Sequence, residues 1–343
     1  MPPDDKHTYV QSWHLSIQRE IVKNTILDVA YVGNSANRVL FMTDFNPAAP
    51  NQPGQSLSIS ARQSTRPYPG WGSITLSSNG AFSDYHALEI RLERRLSKDV
   101  SFLNSFTWSK AIDNSSGSLE NANGNAIGPQ NPRNLAGDKS VSMYDQPFTN
   151  ATSVVWRLPF GANKAFFKSA SKPLNAVIGG WELTTVSNAF SGQPINIIFS
   201  PTSAYQVNSI TADFRGASFP RVNISGNPVL GQANQIAHYF NLANITIPLD
   251  PSQPFGNAGR NIARTMPFWQ FDAALNKTFD LSERAKLQFR AESFNFINRA
   301  NYLAPNSTCS AWNSAGVCTT GSFGTITSTL DPRLIQLGLK LMF

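Results

Sequence analysis

Apolar and polar residues alternate strictly along many segments of this chain. The clearest case is the C-terminal segment, where apolar side chains occupy every second position from 335 to 343. Successive side chains of a β-strand point to opposite faces, so such a segment has one apolar and one polar face. The pattern predicts about nine strands. They are expected at about 8–20, 25–35, 83–96, 100–112, 147–158, 180–199, 267–280, 285–298 and 332–343.

The connections between these strands alternate between short and long. Short turns are predicted at 20–24, 96–99 and 280–284, and an intermediate connection at 159–179 falls where a short turn is due. This alternation is typical of an outer-membrane barrel, which has short periplasmic turns and long extracellular loops. Four long loops are therefore expected on the extracellular side. They span about 36–82, 113–146, 200–266 and 299–331.

Composition fits a membrane barrel better than a soluble domain or a helical membrane protein. Charged residues make up 14% of the chain, against roughly 25% in an average soluble domain, and aromatic residues make up 11%. No run approaches the 18 or so apolar residues that a spanning helix needs. The predicted fold class is all-β, an antiparallel transmembrane β-barrel segment with up-and-down strands.

The alternation has three irregularities. Asn104 falls on an apolar, outward parity, and Phe294 falls on the inward parity of its strand. The 180–199 segment alternates poorly around Gly192 and Pro194. Glycine and proline inside a strand often mark a bulge, which is the interpretation adopted for this segment.

Charge gives little support for nucleic-acid binding. The formal net charge is +7, but the basic residues are scattered. The densest group is Arg91, Arg94 and Arg95, which is interleaved with Glu89 and Glu93. Because no basic stripe is visible, no nucleic-acid partner is expected.

Charged residues do share the polar face of two predicted strands. They can be interpreted as lumen charges that hold a plug or line a solute path, or as ordinary solvation of a barrel interior. The predicted lumen charges are Glu89, Arg91, Glu93, Arg95, Arg290 and Glu292.

The chain has two cysteines, Cys309 and Cys318, in a segment rich in Ser, Thr, Asn and Gly. Their spacing matches neither a CxxC motif nor a metal-ligand pattern. A loop disulfide formed in an oxidising compartment is the favoured hypothesis. Two free thiols on a surface loop are the alternative.

Catalytic motifs are missing from the sequence. The four histidines are dispersed, and neither G-x-S-x-G nor H-E-x-x-H occurs. No enzymatic activity, cofactor or metal is therefore expected.

Tryptophans lie near the predicted strand ends. In a membrane they would form aromatic girdles at the two interfaces. In a soluble β-sandwich they would instead be core rings or a sugar-stacking platform, and a secreted or surface protein with an adhesive or carbohydrate-binding role is the alternative hypothesis. The residues are Trp13, Trp108, Trp156, Trp181 and Trp269.

Several short phrases occur in a fixed order along the chain. They are Tyr85-His86-Ala87-Leu88-Glu89, Phe106-Thr107-Trp108-Ser109-Lys110, Leu158-Pro159-Phe160-Gly161, Gly179-Gly180-Trp181, Ser191-Gly192-Gln193-Pro194 and Phe289-Arg290-Ala291-Glu292-Ser293. As an ordered set they resemble the C-terminal barrel portion of TonB-dependent receptors of the Oar-like type. The resemblance implies a cell outer membrane location and uptake of a bulky solute.

The same resemblance implies missing parts. It implies a receptor with a plug domain inside a barrel of about 22 strands. Nine strands would then be a fragment of that barrel, without plug and TonB box. No signal peptide is recognisable in the first residues, which fits either a fragment or a protein that stays inside the cell. The expected partners are outer-membrane lipid, the barrel assembly machinery and the missing N-terminal barrel and plug, with TonB contacted only through that missing part.

The terminal strand carries one further expectation. Barrels of this kind resemble one another in ending with an aromatic residue on an alternating strand. The apolar face that Leu337, Leu339, Leu341 and Phe343 form is therefore predicted to be the outer-membrane insertion signal, read by strand pairing.

Overall fold

One antiparallel sheet of nine long strands dominates the computed structural model. The structure describes residues 6–55, 57–97, 99–117, 129–200, 220–230, 236–250 and 252–343. Each long strand pairs with the next one along the chain, which confirms the predicted up-and-down, all-β fold class. The strands are β1 (Tyr9–Val22), β2 (Thr25–Asp44), β3 (Thr75–Ser97), β4 (Val100–Asp113), β5 (Phe148–Arg157), β6 (Trp181–Phe190), β7 (Phe268–Asp280), β8 (Lys286–Phe294) and β9 (Leu334–Met342).

The sheet is open. Within the described part of the chain, β1 and β9 each pair with a neighbour on one side only. Both strands are almost fully exposed along their length. Their free backbone groups could not face lipid without a large energetic cost. In a membrane these two edges would have to be paired, either with each other or with further strands.

The register aligns the apolar residues of successive strands into rows on one face. Leu15 pairs with Tyr31, Tyr31 with Leu88, Leu88 with Trp108 and Trp108 with Phe148. A slip of one residue in any pair would bring polar side chains onto this face, so burial in an apolar solvent fixes the register. We call it the outer face, and the opposite, polar face the inner face.

The first long loop is shorter than predicted, because the sheet extends further. The pattern predicts a loop over 36–82, whereas β2 continues to Asp44 and β3 starts at Thr75. Register shifts between Asn37 and Phe41 break the alternation of side chains there. Such bulges conceal a strand from any analysis that depends on strict periodicity.

The predicted strand 180–199 is wrong in its second half. β6 ends at Phe190, and the chain then leaves the sheet instead of forming a bulge within it. Pro194–Ile195 pairs with Ala263–Arg264, and Ile198–Phe199 pairs in parallel with Thr308–Cys309. Gly192 makes this departure possible, since a Cβ there would collide with the carbonyl oxygen of Thr265.

Helices are short and lie in the connections. The described residues include no helix that is long and apolar enough to cross a membrane. The α-helices are α1 (Ile59–Gln63) and α2 (Lys172–Ile178), and the 3-10 helices include Leu135–Asp138 and Leu242–Asn244.

The long connections pack together at one end of the sheet. We call the described residues of 45–74, 114–147, 191–267 and 295–333 the loop layer. Every one of the largest fully buried side chains lies in this layer and none lies in a long strand. Its hydrophobic core contains Ile197, Phe199, Val222, Tyr239, Phe240, Ile245, Ile247, Ala258, Ala263, Cys309, Cys318, Phe323 and Ile326.

Candidate functional site: the inner face and the loop layer

The predicted lumen charges lie on the inner face of two separate strands. On β3, Arg91 bonds Glu93 at 2.8 Å, and Arg95 lies 3.8 Å from the same carboxylate. On β8, Arg290 pairs with Glu292. Residues two apart on a strand share a face, which explains both pairings. Four strands separate β3 from β8 in the sheet, so the structure does not bring the two groups together.

These ion pairs are solvated. The side chains of Arg91 and Glu93 are 55% and 32% exposed. Exposed pairs of this kind contribute about 0–1 kcal/mol to stability. They therefore make the inner face polar and add little stability. Their contact with a plug remains a prediction.

Ion pairs that are buried from solvent hold the loop layer together, and none of them was predicted from the sequence. Arg221 forms a buried ion pair with Asp138, and its Nε donates to the Ala258 carbonyl at 2.8 Å. Arg260 forms a second buried pair with Asp113 at the end of β4. Each pair also satisfies backbone groups, which a buried charge requires if it is to remain ionised.

A third pair joins Arg264 to Asp145, whose side chain is fully buried. Asp145 also accepts from the backbone N–H of Ala111 and lies 3.7 Å from Lys110. In the sequence, Arg221, Arg260 and Arg264 are three of the few charged residues in the long 200–266 segment. Their sparseness does not indicate which carboxylate each arginine contacts.

These contacts connect loops that are distant in sequence. The guanidinium of Arg133 donates to the carbonyls of Pro47 at 2.6 Å and Ala48 at 2.8 Å, which fastens the first loop to the second. Burial lowers the pKa of Arg133, and the nearby Asp44 carboxylate opposes this shift. An arginine nevertheless stays protonated in proteins, so this contact between loops keeps its charge.

The two cysteines are bonded in the structure, with their Cα atoms 5.9 Å apart. Cys309 is fully buried, and Phe199 beside it packs against Trp312 with the rings 5.7 Å apart. Nearby, the phenol of Tyr239 donates to the carbonyl of Arg264. Burial raises the pKa of Tyr239, which keeps the phenol protonated and able to donate. The disulfide therefore belongs to the core of the loop layer.

A small polar cavity of about 240 Å³ opens among these loops. Its lining is rich in side-chain amides, from Gln130, Asn131, Asn134 and Asn257, and Arg221 lies at its wall. Such groups form hydrogen bonds to a ligand without chemical reaction. Within the described ranges, no three His, Cys, Asp or Glu side chains are grouped so that they could hold a metal ion.

The outer face carries two aromatic belts and some polar side chains. Asn104, the residue of unexpected parity, donates to Asn150 at 2.8 Å and to Thr152 at 2.7 Å, two residues that share its outward parity, so its amide is satisfied on this face. Residues at the two ends of the strands form the belts, as amphipathic rings do at membrane interfaces. Trp13, Trp108 and Trp269 lie towards the loop layer, and Trp156 and Trp181 lie towards the short turns.

An apolar outer face between aromatic belts, together with a polar inner face, defines the wall of a membrane-spanning β-barrel. A family model described as "Outer membrane beta barrel domain" matches residues 1–336. The chain therefore belongs to this family, and it is located in the outer membrane.

Nearly all of this chain aligns with a part of several larger solved structures. The outer membrane transporter YddB from Escherichia coli is 12% identical with a TM-score of 0.46, and the alignment covers 99% of this chain and 33% of that chain. The ferric citrate transporter FecA is 10% identical with a TM-score of 0.41, covering 97% and 31%. FpvA from P. aeruginosa is 9% identical with a TM-score of 0.43, covering 98% and 27%. This chain thus spans about a third of their length, and no curated protein matches it.

Proposed function

We propose that this chain forms the barrel wall and outer loops of a TonB-dependent receptor that imports a bulky solute. The proposal joins the outer-membrane family to the ordered set of phrases that resemble Oar-like receptors. The long loops would face the outside and the short turns the periplasm. The solute would pass along the inner face, which carries the ion pairs of β3 and β8.

The loop layer is the observation that carries this proposal. Flexible loops would lose entropy when a solute binds, whereas a layer with its own core is already ordered. Two buried arginines, Arg221 and Arg260, and the more exposed Arg133 hold loops from different connections in fixed positions. Binding residues are commonly placed on loops that a rigid scaffold positions. The amide-lined cavity is the candidate contact site within the layer.

Transport by this chain would require further parts. The nine strands would associate with the missing N-terminal barrel strands and the plug, and TonB would act through that missing part. The barrel assembly machinery would insert the protein into the outer-membrane lipid. A DNA sequence that continues the open reading frame upstream of Met1 would support this reading.

The test is to separate solute binding from energised uptake. Cells that produce the complete receptor would be incubated with mixtures of bulky solutes, and bound molecules would be identified by mass spectrometry. We expect surface binding with or without TonB, and accumulation inside the cell only when TonB is present. Binding that never leads to TonB-dependent accumulation would favour the adhesive or carbohydrate-binding alternative.

A matched pair of variants places the binding in the loop layer. Asn257→Ala removes an amide from the cavity, and Asn313→Ala removes one from an exposed turn elsewhere in the same layer. We expect the first to weaken binding and the second to leave it unchanged. Equal effects of both changes would argue against the cavity as the contact site.

A further inference from the structure

The connection between β5 and β6 differs from the other connections at its end of the sheet. We call residues 158–180 the turn-side segment. It contains α2, where the other connections at this end are short turns. It carries three lysines, Lys164, Lys168 and Lys172, and no acidic residue. The segment is therefore a basic surface at one edge of the membrane wall.

Large apolar side chains of the turn-side segment are exposed over more than half of their surface. Phe166 and Phe167 are 56% and 61% exposed, and Val177 is 67% exposed. These values approach those of Leu337 and Leu339 on the outer face, at 69% and 72%. Exposed apolar patches of this kind mark sites where a protein or a membrane binds.

Hydrogen bonds place α2 against the outer face rather than the inner face. Trp181 Nε1 donates to the carbonyl of Val177 at 2.8 Å, and Lys277 Nζ donates to the same carbonyl at 2.9 Å. Trp181 and Lys277 are paired across β6 and β7 and share the outer-face parity. The C-terminal end of α2 is thus attached where lipid headgroups meet the wall.

Further contacts give the turn-side segment a fixed shape. The Asn175 side chain accepts from the backbone N–H of Ala162 at 2.7 Å, and Gly161, with φ of 116°, leaves the space that this contact needs. Lys164 forms an ion pair with Asp99 in the β3–β4 turn at 3.0 Å. A built structure, rather than a loose turn, therefore presents the exposed rings.

We propose that the turn-side segment is an interfacial anchor for the phospholipid leaflet. Phe166, Phe167, Leu174 and Val177 would enter the boundary between headgroups and acyl chains, while Lys168 and Lys172 would contact anionic headgroups. Basic residues beside apolar and aromatic ones are the combination that binds the surface of an anionic leaflet. The proposal rests on the proposed orientation, in which the short turns face the periplasm, and it is independent of the solute and of TonB.

The test measures the depth of single spin labels in lipid vesicles. Both native cysteines are bonded to each other, so Val177→Cys supplies a unique reactive thiol. Glu283→Cys, in the exposed β7–β8 turn at the same end, is the control. In vesicles of phosphatidylcholine and phosphatidylglycerol, we expect the label at 177 to lie about 5–10 Å below the headgroup surface. The label at 283 should stay in water.

Charge and insertion controls decide the outcome. A label at Leu339→Cys reports whether the sheet itself has entered the bilayer. The Lys168→Glu/Lys172→Glu variant, or vesicles without phosphatidylglycerol, should move the label at 177 outwards while the label at 339 stays embedded. A label at 177 as water-accessible as that at 283 would overturn the anchor. A depth that ignores both charge and lipid composition would overturn the recognition of anionic headgroups.

Discussion

The barrel wall and the loop layer put apolar side chains to opposite uses. In the wall, Leu337 and Leu339 point away from the protein and are about 70% exposed, because the outward face of a barrel strand contacts lipid. In the loop layer, Phe199 and Ile197 are fully buried, as in a water-soluble domain. One chain thus exposes apolar side chains where lipid surrounds it and buries them where water does, and the change occurs at the ends of the strands.

The source of order differs in the same way. Backbone pairing and register organise the wall. Core packing, a disulfide and buried ion pairs organise the loop layer. The comparison predicts that equal substitutions will have different costs in the two regions.

The largest expected effect is a cavity in the loop layer. Phe199→Ala should cost about 3–5 kcal/mol, because the lost contacts of a fully buried ring cannot be replaced. Phe106→Ala on the outer face should cost about 1.5–3 kcal/mol, because acyl chains refill the space and only the transfer term remains. Free energies of opening, measured by hydrogen exchange in lipid vesicles, compare the two.

The location of the loss is as informative as its size. Phe199→Ala should speed exchange at loop-layer amides such as that of Phe199, which donates to Pro220 at 3.0 Å. Exchange in β3 and β4 should be unchanged. If Phe199→Ala destabilised the wall equally, the two regions would form one cooperative unit and the distinction drawn between them would fail.

The wall was predictable because its physics is local. Alternation at period two appears directly in the sequence, and six of the nine predicted strands lie within four residues of their observed bounds. The errors lie where that rule stops. Bulges between Asn37 and Phe41 hid the extension of β2, and the departure at Gly192 depends on a carbonyl 73 residues further on, at Thr265.

The second effect is a charge placed on the outer face. Leu339→Arg should cost about 2–4 kcal/mol if residue 339 lies near the bilayer midplane. Gln336→Arg, on the inner face of the same strand, is the matched control and should cost little. The yield of refolding into lipid vesicles measures both. Similar losses for the two variants would mean that β9 does not present one face to lipid.

The third effect concerns the disulfide in the loop layer. Cys309→Ser together with Cys318→Ser should destabilise the layer by about 2.5 kcal/mol, as estimated for a short closed loop. The wall should keep its strand content by circular dichroism. Oxidised native protein should resist alkylation of both residues until it is reduced. Ready alkylation without reduction would contradict the bond.

The candidate site was only partly predictable. The inner-face charges could be located, since Arg91 and Glu93 share a parity that periodicity reveals. The pairs of Arg221 with Asp138 and of Arg260 with Asp113 could not, since they join residues 83 and 147 positions apart. Gly-, Asn- and Ser-rich loops have no periodicity, so their partners depend on tertiary packing alone.

The smallest expected energetic effect is at Phe343. It tests whether the terminal strand acts as an insertion signal as well as contributing stability. Phe343 is 98% exposed at the end of β9. Its deletion removes one ring, which contributes roughly 1.5–3 kcal/mol at most if lipid buries it fully, and Leu337, Leu339 and Leu341 remain. If assembly machinery pairs with this strand, deletion in the complete receptor should reduce delivery to the outer membrane far more than it reduces refolding into detergent.

Outer-membrane fractionation measures delivery, and circular dichroism measures refolding. Leu341→Ala is a suitable control, because it shortens an apolar side chain of the same face without changing the terminal residue. Equal losses of delivery and refolding would make Phe343 an ordinary membrane anchor, and the wall would then be defined by its contact with lipid alone.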